Sequence, residues 1–174
     1  YVEFLQKAGN NEDSEVVHYA VTAMVEISKE NDDILQRLGN DYKQNPDNFE
    51  VLSRYSDFLW SVLDQNLMSG QVEIMNRNLY SQLVSKKLKK DENPEDYIRY
   101  FENEFALENY KTAGDILAKA DERYGDLEEF ILLKLKYYAA LKKADKIKEL
   151  IADIQSRKMF VSRKVKEAIA FWKD

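Results

Sequence analysis

Apolar residues recur along this chain at spacings of three and four residues, which is the pattern of amphipathic helices. The pattern is strong over residues 48–64 and 71–88, and Ser69 and Gly70 separate these two segments. No segment shows the strict alternation of a half-buried strand. Only 5 Gly and 2 Pro occur in 174 residues, so tight turns are few. The sequence predicts an all-α protein of about nine helices joined by short polar loops.

The amino-terminal part, residues 1–45, predicts two helices, over residues 15–27 and 31–43. The polar residues before the first of these helices include Asp13 and Ser14, either of which is a suitable N-cap. This first helix resembles the first helix of a HEAT-type repeat. We therefore interpret this part of the chain as a HEAT-like pair of helices.

Two Asn-Pro-acid triplets, residues 45–47 and 93–95, each precede an amphipathic segment. Proline in the first turn of a helix, followed by acidic residues near the positive end of the helix dipole, is a helix-start signal. We expect a helix to begin at each triplet. The section between them, residues 46–93, is too long for a standard repeat unit and is predicted to hold an extended helix pair.

From Pro94 onward the sequence repeats with a period of 34 residues, which is the length of a tetratricopeptide (TPR) unit. The aligned pairs are Tyr97 with Ile131, Phe101 with Leu135, Ala106-Leu107 with Ala140-Leu141, and Leu117-Ala118 with Ile151-Ala152. The small residues Ala113 and Ala120 allow the helices of a pair to approach closely. The pattern predicts TPR-like units over residues 94–127 and 128–161.

The last segment, residues 162–174, predicts a capping helix that begins at Ser162 and covers the open edge of the stack. Together the elements predict an α-solenoid of antiparallel helix pairs. We treat residues 1–174 as a single helical-repeat domain on this basis.

The repeat phase also predicts a binding surface, because the first helix of each TPR pair lines a concave groove. Glu102, Phe105 and Lys136 fall at groove positions of the two TPR-like units. By analogy, Arg54 and Asp57 fall there in the preceding pair. These five residues are the candidates for contact with a protein partner.

The chain offers little for catalysis or metal binding. It has no cysteine, which excludes a disulfide framework, a thiolate zinc site and a cysteine nucleophile. His18 is the one histidine, and its place at the border of an apolar stripe favours a packed ring over a metal ligand. Acidic pairs such as Asp32-Asp33 and Glu95-Asp96 lie at helix starts or in loops. We predict no enzyme activity, no cofactor and no metal, although acidic residues alone do not exclude a glycosidase with two carboxylates across a deep cleft.

Charge is distributed unevenly along the chain. The net charge is −6, yet residues 134–174 carry 12 Lys/Arg against 5 Asp/Glu, a local net of +7, and the other residues carry a net of −13. Such polarity suits a charged partner or an anionic surface, unless each block is simply a solvated helix face. The acidic balance disfavours nucleic-acid binding. No apolar run reaches the about 18 residues of a membrane helix, and a start at Tyr1 predicts an upstream segment with room for a membrane anchor.

Four segments carry a resemblance to a known family. They are residues 15–20 with Met24 and Glu26, residues 55–70 with Arg77, Tyr80 and Leu83, residues 108–110 with Ala113, and Phe171-Trp172. The combination resembles the cytoplasmic helical-repeat domain of PelE-like proteins, which occur in bacterial operons for Pel-type exopolysaccharide synthesis and export. The likeness covers nearly the whole chain, and its motifs are mostly packing signatures.

The resemblance implies a scaffold on the cytoplasmic face of the bacterial inner membrane, anchored by transmembrane helices upstream of this chain. It implies two protein partners, the inner-membrane cyclic-di-GMP receptor and a cytoplasmic glycosyltransferase, and it supplies no catalytic residues. The weak second TPR unit and the long section between the two triplets depart from regular TPR patterns, so groove residues are not carried over from the family. A regulatory domain that senses a peptide or small ligand, and a generic TPR adaptor, remain alternatives. The oligomeric state stays open.

Overall fold

The structure is a computed structural model that describes residues 1–157 and 161–173. The described residues form helices, turns and loops without a strand, which confirms the all-α prediction. The nine helices among them are α1 (Val2–Ala8), α2 (Ser14–Gln44), α3 (Phe49–Asp64), α4 (Gly70–Lys90), α5 (Pro94–Ala106), α6 (Tyr110–Tyr124), α7 (Glu128–Ala140), α8 (Ala144–Ser156) and α9 (Arg163–Lys173). None of the helices in this part of the chain combines the length and the apolar character that a membrane crossing requires.

The chain divides into two compact units, Tyr1–Glu92 and Asn93–Asp174. In the first unit each of the helices α1 to α4 packs against the next, and in the second unit α5 to α8 do the same. The core of the first unit lies between α3 and α4, where Leu52, Leu59 and Val84 are fully buried. Burying an aliphatic side chain of this size contributes about 1.5–3 kcal/mol, so this contact contributes strongly to the stability of the first unit.

α2 is one helix of 31 residues, whereas the sequence predicted two helices in its place. Asp13 caps its start by accepting a hydrogen bond from Glu15 N at 2.9 Å. Residues 28–30 contain neither Gly nor Pro, so nothing forces a break there. Asn31 does not cap a second helix, because it is buried and its side-chain amide donates to Gln65 Oε1 at 2.8 Å. The predicted HEAT-like pair is therefore wrong. The pattern did not predict the short helix α1. Because α1 is added where two predicted helices merge into one, the described residues still form nine helices.

The two Asn-Pro-acid triplets behave differently. Asn93 caps α5, with its Oδ1 accepting from Asp96 N at 2.9 Å, and Pro94 lies in the first turn as predicted. Pro46 instead lies in a turn before α3. Asn48 is the N-cap of α3, because its side-chain oxygen can accept from a backbone N–H of the first turn. The helix start signalled by the first triplet is thus displaced to the next available cap.

The helices of the second unit keep the repeat that the sequence predicts. The interval from the start of α5 to the start of α7 equals the interval from the start of α6 to the start of α8. Each first helix is followed by a residue in the left-handed region, Glu108 with φ 58° and Lys142 with φ 55°. The backbone hydrogen bonds that close these turns are Asn109 N to Glu104 O at 2.9 Å and Lys143 N to Tyr138 O at 2.8 Å. The left-handed conformation costs a non-glycine residue about 1–2 kcal/mol, which these Schellman-type bonds offset.

The last helix, α9, completes the core of the second unit. Val165 and Ile169 are buried in a cluster with apolar residues of α7 and α8, and α9 packs against α7. Ser162 lies just before α9, and its Oγ accepts from Val165 N at 3.5 Å. Lys166 and Ala170 are exposed on the other side of the helix. This division of apolar and exposed sides suits a helix at the end of a stack.

Candidate protein-binding surface

Three of the five predicted contact residues meet on neighbouring helices of the second unit. Glu102 and Phe105 lie on α5, and Lys136 lies on α7, one repeat after Glu102. Because α5 and α7 pack against each other, equivalent positions of these helices lie side by side. We refer to Glu102, Phe105 and Lys136 together as the α5–α7 surface.

Lys136 joins the other two side chains of this surface. Its ammonium forms an ion pair with the Glu102 carboxylate and lies 4.7 Å from the centre of the Phe105 ring. The side chains of Glu102 and Lys136 are 31% and 43% exposed. An ion pair in such contact with solvent contributes about 0–1 kcal/mol, and an exposed cation–π contact about 0.5–1 kcal/mol. The cluster therefore adds little to the stability of the fold.

Phe105 is half-buried and is held in place by two other rings. It stacks on Phe101, with 5.6 Å between ring centroids and an interplanar angle of 27°. Tyr110 meets it edge-on at 5.4 Å. Phe101 is fully buried, so Phe105 rests directly on the core. An aromatic ring fixed in this way loses little conformational entropy on binding, which is a property of interface hot spots.

Tyr137 connects α7 to α6 and thereby fixes the helix that carries Lys136. Its hydroxyl donates to Tyr110 O at 3.1 Å. The hydroxyl lies against Gly114 of α6, where an added Cβ would come within 2.9 Å of Tyr137 Cζ. Burial raises the pKa of Tyr137, and the negative charge of Asp115 raises it further. Sequence reasoning missed this contact, for which a glycine inside a helical pattern was the available signal.

The other two predicted contact residues lie on α3 in the first unit. Arg54 is exposed. Asp57 accepts a hydrogen bond from Lys87 Nζ at 3.0 Å, and the Lys87 side chain is only 10% exposed. Asp57 therefore compensates a buried ammonium within the first unit. The position of Lys87 within a buried stripe of α4, between Val84 and Leu88, was the signal that sequence reasoning did not use.

The remaining chemical expectations concern acidic pairs, histidine and metals. Glu95 and Asp96 lie in the first turn of α5, near the positive end of its dipole, as predicted. Asp32 and Asp33 instead lie well inside α2, so their predicted place at a helix start or in a loop is wrong. His18 is exposed on α2, because the buried side of that helix runs through Ala20 and Asn31, so the expectation of a packed ring is wrong. Within the described residues, no group of three or more His, Cys, Asp or Glu is arranged to hold a metal ion.

The first unit also carries a cleft that sequence reasoning did not predict. Its volume is about 260 Å³. The residues that line it are Ser28, Asn31 and Asp32 of α2, Val62 of α3, Leu67, Met68 and Ser69 of the following loop, and Val72 of α4. These residues come from two stretches of the sequence, residues 28–32 and 62–72, which only the tertiary fold brings together, so no local motif predicts them.

Comparison of the chain with known protein families, curated proteins and solved structures finds no match. What the α5–α7 surface and the cleft can bind therefore has to follow from their own side chains.

Proposed function

We propose that this chain is a non-catalytic scaffold domain, a TPR-like α-solenoid whose α5–α7 surface binds a protein partner. The partly exposed cluster of Glu102, Phe105 and Lys136 carries this proposal. It offers a hydrogen-bond acceptor, an aromatic face and a cationic donor within one patch on two packed helices. Aromatic residues are enriched at protein interfaces, and the fixed ring of Phe105 offers such an anchor.

The repeated register of the second unit supports the TPR-like part of the proposal. The helices α5, α7 and α9 pack in succession, and the pair α7 and α8 repeats the spacing of the pair α5 and α6. Ala113 and Ala120 of α6 are fully buried, as a close approach of paired helices requires. At the equivalent positions of α8, the buried Ile147 and Ile154 fill a larger space. The two pairs thus repeat the same helix spacing along the chain, with side chains of different size at these buried positions.

The cellular setting that we propose follows from the resemblance to PelE-like proteins. In this setting the domain belongs to a membrane-anchored protein on the cytoplasmic face of the bacterial inner membrane. It holds together a Pel-type exopolysaccharide synthesis and export complex by contacting the cyclic-di-GMP receptor and the glycosyltransferase. The contrast between the basic carboxy-terminal block, with a net of +7, and the acidic remainder supports an orienting contact with charged partners.

Recovery of these two purified proteins on the immobilised domain tests the proposal. The comparison is between the unaltered domain, a triple variant with Arg54→Ala, Phe105→Ala and Lys136→Ala, and a control with Lys119→Ala. Lys119 is exposed on α6 and is not part of the α5–α7 surface. We expect the triple variant to recover at least about tenfold less partner, because removing a hot-spot cluster costs about 1.4 kcal/mol or more.

Each outcome of the recovery experiment bears on a different part of the proposal. Undiminished recovery by the triple variant would remove the α5–α7 surface from the interface. Failure of the unaltered domain to recover either protein would overturn the Pel-type setting. Loss of recovery by the Lys119→Ala control would show that the effect is not local to the surface.

A further inference from the structure

The cleft of the first unit has one polar wall and one apolar wall. Ser28 and Asp32 of α2 lie on the polar side, and Leu67 and Val72 lie on the apolar side. Val62 of α3 also lines the cleft and is only 2% exposed. An apolar side chain placed here would be buried against Val62 and the apolar wall, while a charge beside it would meet Asp32.

Beyond the cleft, the same side of α2 that forms the polar wall carries exposed apolar residues. Val21, Val25, Ser28 and Asp32 follow one another at spacings of three and four residues, so they share one side of the helix. Val21 and Val25 are 46% and 48% exposed. At a rise of about 1.5 Å per residue, this side of α2 is about 16 Å long. It therefore offers room for about three helical turns of a bound segment.

Hydrogen bonds fix the walls of the cleft in place. The buried Asn31 side chain ties α2 to Gln65, just beyond α3, at 2.8 Å. Gln6 of α1 donates to Gln65 O at 3.2 Å. The cleft is therefore formed before any ligand arrives, and a ligand does not have to order it.

The surroundings of the cleft are acidic. Residues 21–33, which span the cleft and the exposed valines beside it on α2, contain four Asp or Glu and one Lys, which gives a local net charge of −3. Asp32 lines the cleft itself and is exposed. A field of this sign attracts a cationic partner and raises its rate of association.

We propose that this cleft binds a basic amphipathic helix of a partner protein, with its apolar side chains against Val62 and Val72 and a Lys or Arg beside Asp32. A helix fits better than an extended peptide, because the walls are helices and a loop and present no sheet edge for strand pairing. The proposal goes beyond the scaffold function carried by the α5–α7 surface, since it adds a second binding site in the other unit.

Fluorescence anisotropy with three labelled synthetic peptides tests the proposal. One is a Leu/Lys helix with Leu at positions i, i+4 and i+7, the second replaces every Lys by Glu, and the third scrambles the Leu/Lys order so that the helix is not amphipathic. We expect the first peptide to bind at least about tenfold more tightly than either of the others. Equal binding of the Leu/Lys helix and its scrambled form would overturn the proposal, because it would show charge attraction alone.

Two charge reversals on α2 locate the site. Asp32→Lys should weaken binding of the Leu/Lys helix at least about tenfold, whereas Asp41→Lys should change it little, because Asp41 lies about 13 Å along the helix and beyond the screening length of about 8 Å. Both side chains are exposed, so neither change disturbs the core. An equal loss in the two variants would also overturn the proposal. The Phe105→Ala variant should bind the peptide normally, which separates this result from a failure of the α5–α7 surface.

Discussion

The contact between Gly114 and Tyr137 allows the substitution Gly114→Ala to be predicted from opposing effects. Replacing a glycine inside a helix by alanine stabilises the helix by about 1 kcal/mol. Against this, the new Cβ would lie 2.9 Å from Tyr137 Cζ and closer still to the hydroxyl, so the ring has to move. Overpacking of this kind costs about 1–3 kcal/mol, and the hydrogen bond to Tyr110 O is worth about 1 kcal/mol. We expect a net destabilisation of about 1–3 kcal/mol.

The same substitution at Gly39 is the matched control. Gly39 lies within α2, and its added Cβ would meet the Tyr55 hydroxyl at 3.1 Å. The end of a tyrosine side chain can retreat by the few tenths of an ångström that this distance requires. The helix-propensity gain should then dominate, and Gly39→Ala should be neutral or stabilising by up to about 1 kcal/mol.

Urea unfolding followed by tryptophan fluorescence measures both changes separately. The chain has two tryptophans, Trp60 in the first unit and Trp172 in the second. The Trp60→Phe background therefore reports Gly114→Ala, and the Trp172→Phe background reports Gly39→Ala. Tyr137→Phe should recover part of the loss caused by Gly114→Ala, with a coupling of about 1 kcal/mol. A Gly114→Ala variant that is more stable by the full propensity gain would contradict this prediction. So would simple additivity of the free-energy changes caused by Gly114→Ala and Tyr137→Phe.

Two further predictions concern ionisable groups that the fold buries. Asp57→Ala should destabilise the first unit by about 1–3 kcal/mol, because it removes a partner of the Lys87 ammonium, whereas Lys87→Met should cost less. Urea unfolding followed by the Trp60 signal measures both changes. Equal costs would contradict the role of Asp57 as a partner of the buried Lys87. Burial raises the pKa of Tyr55 and of Tyr137 above the ordinary value of 10.0, so the unfolded chain loses these protons first as the pH rises. The free energy of unfolding should therefore be constant just below pH 10 and fall above it. Tyr137→Phe should make the fall shallower in the second unit, and an unchanged slope would count against a buried hydroxyl.

Helix order was largely predictable because α3, α5, α6, α8 and α9 carry their own apolar periodicity, whereas α4 and α7 are only weakly amphipathic. The errors fell where tertiary contacts decide. Residues 28–30 remain helical because they contain no Gly or Pro, and Asn31 turns inward to Gln65 instead of capping a second helix. Pro46 signalled a turn rather than a helix start, because a better cap follows at Asn48. Local sequence cannot rank two adjacent caps or reveal a long-range hydrogen bond.

The candidate surface was predictable only in the second unit, where the repeat shows which positions of successive helices are equivalent. The TPR-like period places Glu102 and Lys136 at equivalent positions, so their meeting across α5 and α7 follows from the repeat phase alone. The first unit lacks this period. There Asp57, which was predicted by analogy to contact a partner, pairs instead with Lys87 of the same unit. The cleft was beyond sequence reasoning because its walls come from segments that only the tertiary fold brings together.

The two proposed sites should also differ in their dependence on salt, since their charges are arranged differently. At the α5–α7 surface Glu102 and Lys136 neutralise each other, so Phe105 and its fixed orientation have to supply most of the affinity. At the cleft, Asp32 belongs to a stretch of α2 with a net charge of −3, residues 21–33, so attraction of a cationic helix has to contribute to the affinity. Screening acts on net fields far more than on apolar contact. Raising the ionic strength should therefore release a basic helix from the cleft while leaving a partner on the α5–α7 surface, and this order of release would reverse if the roles assigned to Phe105 and Asp32 were wrong.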